Sequence, residues 1–158
     1  MHPIYAVYLD RLDALHTDII QALDGLPPAA LDWSPAPDVN CIAVLVMHIA
    51  GSERFWIGEK AGAMPANRDR ASEFRARSDS AAALRQVLDE SLAQAHAVLA
   101  ALDPADLTRS AGTHHDGKPI DVAWALWHEL EHVAMHVGHI QITRSWWLAT
   151  ASARNLVR

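Results

Sequence analysis

The sequence predicts an all-α fold, a four-helix bundle in a single domain spanning residues 1–158, and three observations predict it. Apolar residues recur at intervals of three and four in four separate stretches. The stretches are divided by segments rich in proline, glycine and aspartate, which punctuate helices. The chain of 158 residues, 51% hydrophobic and 20% charged, has the length and composition of one globular core. No internal repeat or low-complexity tract interrupts it, and no β-sheet is expected.

The first stretch, residues 4–25, places Tyr5, Tyr8, Leu9, Leu12, Leu15, Ile19, Ala22 and Leu23 on one stripe, and Gly25 with Pro27 and Pro28 ends it. "DGLPPAALDWSPAPDVN" is too rich in proline for a long helix. Asn40 is the expected cap of a second helix over about 41–60, stopped near Gly62. Its β-branched residues leave a short buried strand at 42–46 as the competing reading, but apolar positions recur at helical intervals through Trp56. "AMPANRDRASEFRARS" is polar and irregular, with room for one helical turn. Ser78 or Ser80 opens the alanine- and leucine-rich third helix, which ends at Asp103 and Pro104. The next loop contains "DGKP", a strong turn signal, and Asp121 then caps a fourth helix running to about residue 149. The connection of about 18 residues between helices 2 and 3 can cross the length of a bundle, which would set these two helices parallel.

Composition narrows function. A net charge of −6 gives no electrostatic reason to expect nucleic acid or an anionic membrane as partner. The single cysteine, Cys41, excludes an intramolecular disulfide framework and suits a reducing compartment. Asp10 and Asp13 break the apolar run a signal peptide needs, and no apolar run approaches membrane-spanning length. The expectation is a cytoplasmic protein acting on a small molecule. Adjacent Trp146 and Trp147 point in different directions from one helix, so a homodimer contact near the chain end is expected.

The chemistry lies in "WHELEHVAMHVGHI", where His128, His132, His136 and His139 fall within an arc of about 80° on helix 4. Leu130, Val133, Val137 and Ile140 cover much of the rest, so the helix is largely enclosed and four imidazoles need partners. Ring nitrogens at i and i+4 can converge on a divalent ion, and two overlapping HxxxH pairs are present. The pair at 128 and 132 also reads H-E-x-x-H through Glu129, but a zincin would need a substrate strand edge. A third ligand should come from another helix, and His48 is the only histidine of helix 2, at a matching depth. The competing reading for each histidine is a hydrogen-bonded core imidazole.

The segments "NCIAVLVMHIAGSERFWIGE" (40–59), "NRDRASEF" (67–74) and "WHELEHVAMHVGHIQITR" (127–144) resemble the DinB/YfiT-like family of four-helix-bundle metalloenzymes. The resemblance covers nearly the whole chain, and its sharpest element is H-x-x-x-H-x-G-[QH]-I. It implies an up-down-down-up bundle and a divalent metal held by His48, His132 and His136. It makes His128 and His139 pocket groups flanking the ligands, with His128 the one to touch substrate or orient a ring. It also implies a transferase or isomerase using bacillithiol, mycothiol or glutathione as cosubstrate, with metal-assisted hydrolysis and non-catalytic metal binding as alternatives.

Three neutral imidazoles leave a divalent ion strongly electrophilic with a position open. Zinc is the plain choice, with nickel, iron or manganese also suited to imidazole. Metal affinity should collapse below about pH 6, where free histidines protonate. Arg144 follows the site and completes the candidate catalytic set of His128, His139 and Arg144, as a carboxylate binder or else a structural ion pair. Glu53 rotates about 140° away from His48, so a salt-bridge or helix-surface role is expected. Cys41 is expected to be buried and inert. His114 and His115 are expected at the surface or as a lid over a pocket mouth.

Overall fold

A computed structural model describes residues 1–156. Its elements, in chain order, are α1 (Pro3–Leu23), α2 (Pro28–Leu31), α3 (Ile42–Glu53), a π-helical continuation (Arg54–Ala61), α4 (Arg70–Glu73), α5 (Ala81–Ala101), a 3-10 turn (Pro104–Thr108), β1 (Ser110–Thr113), β2 (Pro119–Asp121) and α6 (Val122–Leu156). The four periodic stretches are thus the four long helices α1, α3, α5 and α6.

The local chemistry explains most boundaries. Pro3 starts α1, where its missing N–H costs nothing, and the stripe from Tyr5 to Leu23 is buried. Ser80 caps α5 by accepting from Ala83 N–H, and Asp121 caps α6 by accepting from Trp124 N–H at 2.8 Å. Three expectations need correction. Asn40 is not the cap of α3: Cys41 holds that position with no side-chain hydrogen bond, and Asn40 is exposed. Residues 110–113 and 119–121 form a small antiparallel ribbon, turned through Gly117 at φ +86°, where a loop with a turn and no strand was expected. The last helix runs past 149 to Leu156, and Val157 and Arg158 lie outside the described residues.

The β-branched run 42–46 is helical because all five residues are buried, and a fully enclosed helix needs no polar face. After Glu53 the hydrogen bonding widens, as in Gly62 N–H to Ile57 C=O at 2.9 Å.

Paired residues fix how the helices run. Between α1 and α5 the pairs are Tyr5 with Asp103, Asp13 with His96 and Asp24 with Arg85, so these helices are antiparallel. Between α3 with its continuation and α6, His48 meets His132, Ser52 meets Glu129 and Trp56 meets Trp124, again antiparallel. Arg54 meets Glu90 while Gly58 abuts Gln94 and Gly62 abuts Val98, so α3 and α5 run the same way. Tyr8 bonds the Leu126 carbonyl and Arg144 bonds the Asp24 carbonyl, so α1 and α6 also run the same way. The core between them is aliphatic, with Leu12, Ile19, Ile49, Leu88, Leu99, Val133 and Ile140 fully enclosed. Among the described residues no helix is long and apolar enough to cross a membrane.

Candidate metal centre

The antiparallel packing of α3 on α6 brings His48 opposite the histidine line. His132 Nε2 lies 3.1 Å from His48 Nε2 and 3.1 Å from His136 Nε2. One nitrogen from each of the three rings lies within 4.8 Å of the other two. Three nitrogens around a zinc ion at about 2.0–2.1 Å in tetrahedral geometry would stand about 3.3–3.4 Å apart. The two observed separations are already within a few tenths of an ångström of that.

The outward nitrogens show why the inward ones suit a cation. His48 Nδ1 donates to Glu73 Oε2 at 2.8 Å, so its Nε2 presents a lone pair to the centre. His136 Nδ1 faces His139 Nδ1 at 3.2 Å. His132 Nδ1 faces Glu129 Oε1 at 3.7 Å, and both atoms are buried with no other partner. Glu73 thus fixes the His48 ring with its Nε2 turned inward, and the Nε2 atoms of His132 and His136 face the same point. Three imidazole nitrogens converging at this spacing fit a divalent ion.

Glu73 is itself fixed. Arg68 grips it through Nε at 2.6 Å and Nη2 at 2.8 Å, a bidentate pair, and Gly51 makes room for it. A Cβ at Gly51 would overlap the Glu73 carboxylate. Burial pushes the Glu73 carboxyl up, but the bonds from Arg68 and His48 outweigh it and hold it below the usual range. Burial pushes His48 down, against the pull of Glu73. Burial, reinforced by Arg68, lowers His132 to about 4; burial, with His132 and His48 adding to it, lowers His136 to about 3. Both imidazoles are therefore neutral and ligand-ready well below the expected limit near pH 6, and proton competition moves to more acid conditions.

Beneath the cluster lies a polar layer inside the bundle. Ser52 Oγ donates to Glu129 Oε2 at 2.6 Å, and His16 Nε2 meets Glu53 Oε1 at 2.6 Å. All four residues are buried. Burial, then the neighbouring Glu53, pushes the Glu129 carboxyl well above its usual value. Glu53 is thus paired, as expected of a salt-bridging residue, but in the core and not on the helix surface: the π-helical turn starts just after it, and α1 supplies His16.

The remaining candidates are scattered. His139 is exposed and reaches the cluster through His136. His128 stacks nearly parallel on Trp124 at 4.6 Å and meets Trp56 at 4.9 Å, with its ring 6.2 Å from that of His132. The H-E-x-x-H pair therefore does not frame the cluster, and Glu129 points into the core. Arg144 is set apart, donating to the Asp24 carbonyl at 3.1 Å between α1 and α6. Cys41 is buried and forms no disulfide, its Sγ facing Arg77 Nη1 at 3.9 Å. His114 packs on Trp124 at 4.9 Å beside His128, not over the three-histidine cluster. Trp147 packs on Trp33 at 5.7 Å, whereas Trp146 is exposed. Sequence reasoning missed Glu73 and His16, and weighed Glu129 only as the glutamate of H-E-x-x-H. Glu129 was findable as the i−3 neighbour of His132 on a helix predicted to be enclosed; Glu73 and His16 depend on tertiary contacts.

A helical bundle that converges three imidazoles from two helices defines a class of candidate metalloproteins. Within it, this chain belongs to the mycothiol-S-transferase family, whose model it matches over residues 8–147, in keeping with the DinB-like resemblance. The fold is similar to that of a conserved protein from Enterococcus faecalis, at TM-score 0.75 and 17% identity over 91% of this chain and 96% of that one. It is also similar to the mycothiol-dependent maleylpyruvate isomerase, at TM-score 0.64 and 13% identity over 86% of this chain and 60% of that one. A histidine-to-alanine variant of that isomerase aligns at TM-score 0.67 and 12% identity, with the same coverage. This chain therefore spans about 60% of the isomerase's length, and at such identities the likeness carries the fold alone. No curated protein sequence matches the chain significantly.

Proposed function

We propose that the protein is a divalent-metal-dependent transferase or isomerase that uses a low-molecular-weight thiol, mycothiol foremost, on a small-molecule substrate. The observation that carries this reading is the convergence of three Nε2 atoms whose remote nitrogens each face Glu73, Glu129 or His139. His48, His132 and His136 would hold the ion. Such an ion supplies Lewis acidity that lowers the pKa of a bound thiol near neutral pH. The chain's own residues do the rest. Glu73 and Arg68 fix the His48 ring, and Ser52 fixes Glu129 behind His132. His139 bridges the cluster and the solvent side. The family membership favours thiol chemistry over hydrolysis.

Calorimetric titration of zinc-loaded and zinc-free protein with mycothiol, bacillithiol and glutathione tests this reading. Heat with at least one thiol, present only with metal and lost in H48A, is the expected result. Absence of binding by all three would return the weight to a hydrolase or a non-catalytic metal protein.

A further inference from the structure

The short helix α4 stacks an aromatic ring and a cation beside the metal centre. Phe74, 37% exposed, packs on the ligand ring of His48 at 4.9 Å between centroids, and the Arg70 guanidinium lies over Phe74 at 4.8 Å. Arg70 opens the turn and Phe74 closes it, so a spacing of four sets them on one face. Asp69 fixes the turn by accepting from Ser72 N–H at 3.1 Å. The same turn carries Glu73 to His48, so one element orients a ligand ring and places a cation next to it.

Charge singles out Arg70. Arg68 is held by Glu73 in its bidentate pair, Lys60 meets Glu59 and lies over Phe55, and Arg144 is bound to the Asp24 carbonyl. Both acids of α4 and its cap are engaged as well, Asp69 in capping and Glu73 with Arg68 and His48. Arg70 is exposed, and among the described residues its guanidinium has no ion pair or hydrogen bond. Burial and Arg68 lower His132 most and Arg70 adds to them, so the Arg70 charge reaches the cluster. A cation–π contact satisfies none of the five guanidinium N–H donors, which stay free for an acceptor. A divalent ion on three neutral imidazoles keeps its full charge, so ion and Arg70 together make this side of the centre attractive to an anion. The planar fork of an arginine matches a carboxylate, and the exposed Phe74 ring offers apolar surface to the carbon skeleton that bears it.

We propose that Arg70 is a specificity-determining residue that selects a small carboxylate-bearing substrate, pairing with its carboxylate while Phe74 packs on its carbon skeleton beside the ion held by His48, His132 and His136. The proposal rests on the metal-dependent, thiol-using reading above and deepens it by naming the chemical class of the second substrate.

The test titrates crotonate and its uncharged counterpart crotonamide into the zinc-loaded full chain, followed by proton–nitrogen NMR, for wild type, R70A and R70K. Wild type should bind crotonate about tenfold more tightly than crotonamide, with shifts at the Arg70 Nε–H and the Phe74 amide. R70A should lose about that factor for crotonate alone, with zinc content, crotonamide affinity and mycothiol binding unchanged. R70K, which keeps the charge without the planar fork, should recover part of the loss. A crotonate preference of wild-type size in R70A would assign it to the ion alone and overturn the proposal. Crotonate binding no tighter than crotonamide in wild type, or not at all, would overturn it equally. The comparison needs no thiol. A wild type that binds no thiol therefore brings down the thiol-dependent reading, while the two probes still decide the role of Arg70.

Discussion

Glu73, carried on the single-turn helix α4, accepts a 2.8 Å hydrogen bond from Nδ1 of His48 in the middle of α3. This contact selects the His48 tautomer whose Nε2 faces His132. It depends on Arg68, which holds Glu73, and on Gly51, which leaves the space. Replacing the outward partner of a metal-ligating histidine costs about 10–100-fold in metal affinity. E73Q should therefore weaken zinc binding by that order in a chelator competition. G51A should do the same without touching any polar group, because the new methyl displaces the carboxylate. Wild-type affinity in both variants would show that His48 is oriented without Glu73.

The His16–Glu53 pair crosses the bundle interior from α1 to the end of α3, with both side chains almost fully enclosed. Removing one partner of such a pair strands the other, at about 3–5 kcal/mol. H16L and E53L should each lower stability in urea by that order, and the H16L/E53L double variant should lose much less than the sum. Additive losses would mean that the two residues do not act as a unit.

Chelation should leave the bundle standing. Its aliphatic core is continuous through α1, α3, α5 and α6, so the fold does not depend on a bound ion in the manner of a zinc finger. Circular dichroism at neutral pH after exhaustive chelation should retain the helical signal. Collapse to coil would make the centre structural.

In the metal-free protein His132 and His136, at about 4 and about 3, lie below the unfolded value of about 6.5. As pH falls, the unfolded chain takes up these protons first. The stability linked to the two neutral imidazoles is full above about pH 6.5 and is lost as pH falls through 4 and then 3. Glu129, raised by burial, acts with the opposite sign over part of this range, so the comparison must cancel it. Urea denaturation of chelated wild type and H132A/H136A between pH 7 and 5 does so. Wild type should lose stability relative to the double variant as pH falls; parallel curves would contradict the shifts.

Much of this was legible in the sequence, for stated reasons. The four helices follow from apolar recurrence, and the caps at Ser80 and Asp121 from short polar side chains before apolar runs. His48, His132 and His136 could be singled out by the helical repeat and the family pattern together, and the structure brings them into one cluster. The partners that orient them were not legible, because Glu73 lies 25 residues from His48 and comes to it only when α4 folds against α3. The β1–β2 ribbon was missed because "DGKP" marks a turn without showing that its short flanks pair. Glu53 read as a salt-bridging or helix-surface residue, and periodicity on α3 alone cannot reveal that its partner is His16, buried on α1.

The central claim, that His48, His132 and His136 hold one divalent ion, is tested most directly by elemental analysis of untagged protein purified without a nickel column. Wild type should carry about one equivalent of divalent metal per chain, and H48A, H132A and H136A should each carry far less while keeping the wild-type circular dichroism spectrum. Metal content unchanged in all three variants would contradict the account.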